Sequence, residues 1–572
     1  MTIKIIMKPS ERAILVRTGW EYKELGAGVP GGRWLKAQGA WRYPMTYFTA
    51  LRIDDLFGKK LRDWVNYSKK FYPYLLAAEV ARDPANSYEY MRDLSAYQLP
   101  PIPHTKSEPW LHQLQAFHFA YMRESCMLDM DMGTGKTKVV FDLIANRDHR
   151  VTLVVAPPKI LESQVWEEQA VKHWPESAGA LAMLNLYEGN LTVAERTQRA
   201  DEWMASHRRW LRAGKQMFGI VMVNYEAVWR SPFKEWAKEQ NWDFMILEES
   251  HRAKKAGGKA SKALFEIGQH AQWRLAMSGT PMAHSPLDVY AQYRFLDSGI
   301  FGTNMQRFNA QYALYGGFQN REVIGFQNEA DLQRKYYQIA YHVDESVQSL
   351  PKTQDIFRYV KLHPETKRQY NRMKKEMVAE FGGREVTAAN TLTRTLRLQQ
   401  ITAGHVTLDP IDEEAKGPVT IVGHEKRDML IDVLEDLDPK DPVVVFTMFK
   451  PDMEAVRQAC KASGRSFAEI SGFINEIKKW KAGEANVLGV QIKTGAEGLD
   501  LTRAHYAVYY SLTPSLAFYK QSRKRLHRPG QTKRTKFIHL VANATVDGEI
   551  MKALAERQDV IKHLLTIGFF EG

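Results

Sequence analysis

The stretch Met130-Asp131-Met132-Gly133-Thr134-Gly135-Lys136-Thr137 has the residue types of a phosphate cradle. It follows the apolar run Cys126-Met127-Leu128 and leads into Val139-Val140-Phe141-Asp142-Leu143-Ile144, which can continue as a helix. Strand, glycine turn and helix start is the context such a loop needs. Gly133 and Gly135 let backbone N–H groups turn toward phosphate oxygens where a Cβ would obstruct them. Thr134 lies between them, and the helix N-terminus adds partial positive charge. Lys136 reaches the outer phosphates, and the Thr137 hydroxyl ligates Mg²⁺. Met130 stands where the strict pattern has glycine, so the match is partial and a plain glycine-rich turn is the alternative.

A second chemical string, Leu247-Glu248-Glu249-Ser250-His251, sits where an apolar run ends, at the edge where α/β sheets bind ligands. Two adjacent carboxylates there have two jobs open to them. Glu248 can hold Mg²⁺, and Glu249 can polarise an attacking water. A solvated acidic turn is the alternative. Ser278-Gly279-Thr280-Pro281 follows another apolar run. The Ser278 and Thr280 hydroxyls can bond His251 and couple nucleotide state to the rest of the lobe. The competing reading is a simple turn.

The elements that must position these groups are short, β-branched apolar runs alternating with amphipathic segments from about residue 110. Val151–Val155, Ile220–Val223, Phe244–Leu247 and Arg274–Met277 form a first set. Val443–Phe446, Val487–Val490, Ala507–Tyr510 and Phe537–Leu540 form a second. Near-continuous apolarity over four or five residues suits parallel strands buried on both faces. Two tandem α/β lobes are the simplest arrangement. Residues 300–440 read as mostly helical and polar, with Leu350-Pro351-Lys352 as the crossover.

The chain has 572 residues, room for two to four domains. Lys and Arg number 79 against 66 Asp and Glu, a net charge of +13 that favours a polyanionic partner such as nucleic acid. The two cysteines, Cys126 and Cys460, lie in or beside apolar segments and read as buried thiols of a reducing compartment. The N-terminus lacks a signal-peptide pattern, and no stretch approaches the ~20 apolar residues of a membrane span. An intracellular protein of cytoplasm or nucleoid is expected, monomeric and without membrane contact.

In order and spacing these strings resemble the superfamily 2 helicases, and most closely the Snf2 family of DNA translocases. Residues 132–137 resemble motif I, whose family form also lacks the first glycine. Glu248-Glu249-Ser250-His251 resembles the Asp-Glu-x-His box, with Glu248 where the family usually has Asp. Ser278-Gly279-Thr280-Pro281 resembles motif III. Ala156-Pro157-Pro158-Lys159 with Trp166 resembles motif Ia, and Val223-Asn224-Tyr225-Glu226 motif Ib. Thr494-Gly495-Ala496-Glu497-Gly498 resembles motif V, and Gln521 through Gln531 motif VI.

The resemblance implies two RecA-like P-loop lobes with ATP and Mg²⁺ between them. It implies that Gln113, beside His112 ahead of a helix, reads the adenine edge. It implies that Arg525 and Arg528 meet the γ-phosphate, with Gln521 coupling; Arg523 and Lys524 fit a solvated, DNA-facing helix. Lys159, Asn224, Thr494 and Gly495 would touch DNA.

The turn Pro30-Gly31-Gly32-Arg33-Trp34 and the run Ala40-Trp41-Arg42-Tyr43-Pro44 look like the HARP-type module of annealing helicases. Trp34 and Trp41 would then grip DNA by stacking, or else serve as core.

The expected organisation is α/β. A small N-terminal α+β, DNA-binding module spans 1–56 and a helical linker 57–107. Lobe 1 spans 108–300, a helical connector 301–350, and lobe 2 351–572. An ATP-dependent translocase on duplex or forked DNA is the leading expectation. An RNA helicase of the same superfamily is one alternative. A nucleotide-gated DNA clamp, hydrolysing weakly because of Glu248, is another.

Overall fold

The computed structural model describes residues 3–187, 191–282, 285–316, 322–347, 350–380, 388–407, 419–472, 474–495, 499–556 and 560. The chain divides into two compact units, Met1–Val347 and Gln348–Gly572.

The first unit is built on a seven-stranded, wholly parallel sheet. Its order is Ala340–Val343, Ser125–Met130, Ala271–Ser278, Trp242–Glu248, Val151–Ala156, Met217–Asn224 and Ala180–Asn185. Alternation along the central strands feeds two separate cores. Leu153, Val155, Met245 and Leu247 pack on one face, and Val154, Ile246, Leu275 and Met277 on the other. Burial on both faces is the reason these strands read as unbroken apolar runs. The loops after Met130, Glu248 and Ser278 leave from three adjacent strands at the same carboxyl edge, so the topology itself gathers the site.

The second unit carries a six-stranded, wholly parallel sheet. Its order is Gln354–Val360, Lys536–Ala542, Tyr506–Tyr509, Val443–Thr447, Val487–Gln491 and Phe467–Ile470. Val444 and Phe446 join one core, Val443 and Val445 the other. Cys126 and Cys460 are buried free thiols, each pushed up to about 12 by burial.

Several expected boundaries move. The N-terminal sheet has the order Arg33–Leu35, Ala40–Pro44, Ala13–Arg17, Ile3–Lys8 and Val65–Tyr67. Val65–Tyr67 and the helix Phe71–Arg82, whose Phe71, Leu75 and Ala78 enter the same core, lie in the span expected as a helical linker. The module therefore runs past residue 56. The 301–350 connector is not all helical either, since Ala313–Gly316 pairs with Glu322–Phe326 and Ala340–Val343 joins the first sheet. Both oxygens of buried Glu124 tie the module to the first lobe, accepting from Tyr47 N at 2.8 Å and Tyr74 Oη at 2.7 Å. Among the described residues no helix is long and apolar enough to cross a membrane.

Candidate functional site

The loop after Ser125–Met130 has the backbone of a phosphate cradle. Gly133 and Gly135 sit at φ +83° and +86°, a region where a side chain is strained. At Gly135 a Cβ would also lie 2.1 Å from the Gln113 amide nitrogen. The helix Lys136–Asn146 begins at once, aiming its first N–H groups into the loop. The Lys136 ammonium rests on the carbonyls of Met130 (2.8 Å) and Asp131 (3.4 Å). Anionic oxygens are stronger acceptors than these carbonyls, so a triphosphate fits the cradle.

Gln113 and His112 stand in the first turn of Leu111–Tyr121, not ahead of it. Both donate to the Thr134 carbonyl, at 3.0 and 2.9 Å, while Gln113 Oε1 accepts from Trp110 N. Burial lowers the His112 pKa, which leaves it neutral with Nε2–H as the donor. These two side chains therefore pin the loop. Thr134 departs from expectation, because its hydroxyl is buried and bonds back to Asp131 O at 2.7 Å. Its side chain does not line the cradle.

At the neighbouring strand end, Glu249 adopts φ +50°, a left-handed conformation costing a non-glycine residue about 1 kcal/mol. The kink turns the chain into Ser250–Ala253 and brings Glu249 over Ser278. Ser278 Oγ lies 3.3 Å from Glu249 Oε2, 3.1 Å from His251 Nδ1 and 3.1 Å from Thr280 N. A hydroxyl has one proton and two lone pairs. All three contacts are satisfied when Ser278 donates to Glu249 and accepts from Thr280 N–H and His251 Nδ1–H. Glu249, Ser278 and His251 thus form one network, which Thr280 joins through its backbone N–H.

Glu248 Oε2 accepts the indole N–H of buried Trp166, and its backbone carbonyl accepts from Tyr225 Oη at 2.9 Å. Thr137 and Glu248 are the residues that would offer Mg²⁺ the hard oxygens it favours. Among the described residues no group of three His, Cys, Asp or Glu is placed to hold a metal. The remaining positions of an octahedral Mg²⁺ would come from phosphate and water, its usual environment.

Sequence reasoning missed Trp166 as a partner of Glu248, and it missed Gln292. Fully buried Gln292 accepts from Ser250 Oγ at 2.6 Å and donates to Pro281 O at 2.8 Å, stitching the acidic turn to the Ser-Gly-Thr-Pro turn. Nothing in the spacing marks a glutamine 42 residues downstream for that role.

The helix behind the cradle carries a buried ion pair. Lys138 Nζ meets Asp142 Oδ2 at 2.5 Å and Thr105 Oγ1 at 2.6 Å. Burial raises the Asp142 carboxyl to about 6 against the opposing Lys138 charge. Lys138→Met should cost about 3–5 kcal/mol at pH 8, because it strands a buried carboxylate. Without the lysine the folded carboxyl pKa climbs further, so the loss is complete above that pKa and shrinks as pH falls from it toward the ordinary carboxylate value, where it vanishes. Urea unfolding at several pH values measures it; a loss under 1 kcal/mol at pH 8 contradicts the assignment.

Two proposed DNA contacts in this unit do not stand as read. Asn224 is buried, its oxygen taken by Arg196 at 3.1 Å and its amide given to Glu226 at 2.8 Å. Trp41 is 9% exposed, and its N–H donates to Lys23 O, so it is core. Trp34 packs edge-on to Trp41 and Trp20. Lys159 pairs with Glu162 at 3.0 Å on a half-exposed surface.

In the second unit, Ser515 caps the helix Leu516–Leu526, which buries Gln521 and Arg525 on one face four residues apart. Arg523 is not solvated as expected: its guanidinium forks onto Asp355 and lies 3.9 Å over the Phe537 ring. Arg528, half-buried, donates to Leu499 O at 3.3 Å, and Arg525 O accepts from Leu501 N at 3.1 Å. Burial opposes ionisation of Asp500, but the Arg528 charge and bonds from Thr502 hold its carboxyl below the usual range. The two arginines are therefore laced to the segment after Gly498. Thr494 and Gly495 end the short helix Ile492–Gly495; their side chains, and Ala496–Gly498, lie outside the described residues.

A family model for the SNF2-related domain matches residues 86–405, more than half of the chain. A helicase conserved C-terminal domain model matches residues 425–530. An uncharacterized ATP-dependent helicase of Mycoplasma genitalium is 22% identical over 459 residues, covering 77% of this chain and 40% of that protein. Protein p41 of Acyrthosiphon pisum secondary endosymbiont phage 1 is 23% identical over 453 residues, covering 74% of this chain and 90% of that protein. Among solved structures, the Sulfolobus solfataricus SWI2/SNF2 ATPase core in complex with dsDNA aligns with a TM-score of 0.36 at 19% identity, covering 83% of this chain and 96% of that one. The chain spans about two-fifths of the length of the Mycoplasma relatives it matches.

Proposed function

Since this chain belongs to the SNF2-related family, we propose that it is an ATP-dependent translocase acting on duplex or branched DNA in replication, recombination or repair. The observation that carries the reading is the Glu249–Ser278–His251 network, set on the strand ends beside a glycine cradle with a lysine inside it. When bound, ATP supplies the scissile anhydride and Mg²⁺ neutralises charge on its phosphates. Lys136 would exchange the Met130 and Asp131 carbonyls for phosphate oxygens, and Thr137 and Glu248 would hold the ion. Glu249 accepts a proton from the attacking water as the water oxygen bonds the γ-phosphorus and the anhydride bond breaks, and the Ser278 hydroxyl links that change at Glu249 to His251 and to the Thr280 backbone. Arg525 and Arg528 act on the γ-phosphate from the second unit, with planar, permanently charged forks. The surplus of 13 positive charges favours a nucleic-acid track.

One observation favours a second reading, a nucleotide-gated clamp with slow turnover. Glu248 has a longer stem than the usual Asp, and one of its oxygens already accepts the Trp166 N–H. Steady-state hydrolysis with duplex, forked DNA, single strands and RNA separates the readings. Stimulation by duplex or forked DNA is expected. Stimulation by RNA alone rejects the DNA motor, and tight DNA binding without turnover selects the clamp.

A further inference from the structure

The N-terminal sheet has two faces. Its inner face carries Ile3, Ile5, Ile14, Val16, Trp41 and Tyr43 into the module core. Alternation places Lys4 and Lys8 on the other face of the strand Ile3–Lys8. The register extends that face: Lys4 opposes Arg17, Leu15 opposes Arg42, and Arg42 opposes Arg33. Lys4, Lys8, Arg17, Arg33 and Arg42 are all exposed. The remaining positions on that side are Ile6, Ala13, Leu15, Leu35, Ala40, Pro44 and Asn66; Ala13, Leu15 and Ala40 are buried between the strands' longer side chains, and none of the seven is a carboxylate. The nearby Glu11 sits in the turn after Lys8, where its backbone carbonyl accepts from Arg42.

Two of these pairings, Lys4 with Arg17 and Arg33 with Arg42, set like charges directly opposite each other across neighbouring strands. Such pairs destabilise a sheet. No ion pair among the described residues relieves any of the five. Each like-charge pair is about 5 Å apart, Arg17 and Arg42 are diagonal neighbours about 7–8 Å apart, and Lys8 lies about 13 Å along the strand from Lys4, so the cations form one positive cluster. A duplex backbone, with one negative charge per ~1.7 Å of axis, is the polyanion that complements it.

We infer that this outer face, and not the tryptophans behind it, is a docking surface for the phosphate backbone of duplex DNA. The inference rests on the reading of the chain as a DNA motor and adds a second place where the same duplex is held. The test compares the whole protein with a variant carrying K4Q, R17Q, R33Q and R42Q, measuring duplex binding by anisotropy across a salt series. Each lost phosphate contact makes the slope of log K against log salt shallower by about 0.9, so a change of about 3–4 is expected. The melting temperature should hold or rise, since the like-charge pairs are gone. R33K with R42K should keep the original slope.

An unchanged slope in the four-residue variant overturns the inference, as does a fall in melting temperature without a slope change. Failure here is distinguishable from failure of the motor reading. DNA-stimulated hydrolysis by the unaltered protein, with no slope change in the variant, removes only the docking face. No such stimulation, with a shallower slope in the variant, removes the motor and leaves the face.

Discussion

Arg528→Ala should lower DNA-stimulated ATP hydrolysis by about 10³–10⁵-fold, the range for losing an arginine that stabilises charge on a transferring phosphoryl group. Nucleotide affinity should change only a few-fold, since the cradle and Lys136 belong to the other unit. The expectation rests on how Arg528 is held. It bonds a backbone carbonyl at Leu499 and sits near Asp500, close enough to depress that carboxyl pKa, so it is neither a loose surface cation nor locked in a buried pair. Arg528→Lys should recover little, because an ammonium lacks the planar fork. Single-turnover hydrolysis with duplex DNA measures both. A loss under tenfold, or full rescue by lysine, would remove Arg528 from the chemistry.

Glu249→Gln should cost about 10²–10⁴-fold in kcat, the usual worth of a positioned general base, with KM for ATP little altered. Glutamine keeps the size of the side chain and can still accept from Ser278, so the network of Ser278, His251 and Thr280 survives while the base is lost. The left-handed backbone at 249 is carried equally by both residues, so stability should be unchanged. A variant that loses kcat only in proportion to its melting temperature would mean Glu249 is structural.

What the sequence disclosed and what it hid follow one physical rule. Every central strand of both large sheets was legible, because strands covered on two faces are mostly apolar, with single buried exceptions such as Arg274 and His539. The four edge strands were not. Ala180–Asn185 and Gln354–Val360 are partly exposed, while Ala340–Val343 and Phe467–Ile470 are largely buried but only four residues long and interrupted by His342 and Glu469.

The site divides in the same way. The glycines, Lys136, the carboxylate pair and Ser278 are set by local spacing around strand ends, and the sheet brings them together. Trp166 against Glu248, Gln292 bridging two turns, and the burial of Asn224 and Trp41 depend on distant packing, which spacing does not encode. Trp41 is instructive: beside Arg42 it reads as a stacking platform, but the pleat sends the two to opposite faces.

Lys136 is the residue through which the cradle would engage a triphosphate. The direct test of that role is the initial rate of ATP hydrolysis, with and without duplex DNA, for the unaltered protein and for Lys136→Ala. A DNA-stimulated rate is expected in the first, a background rate in the second, and duplex binding in both. Equal rates for the two proteins would contradict it.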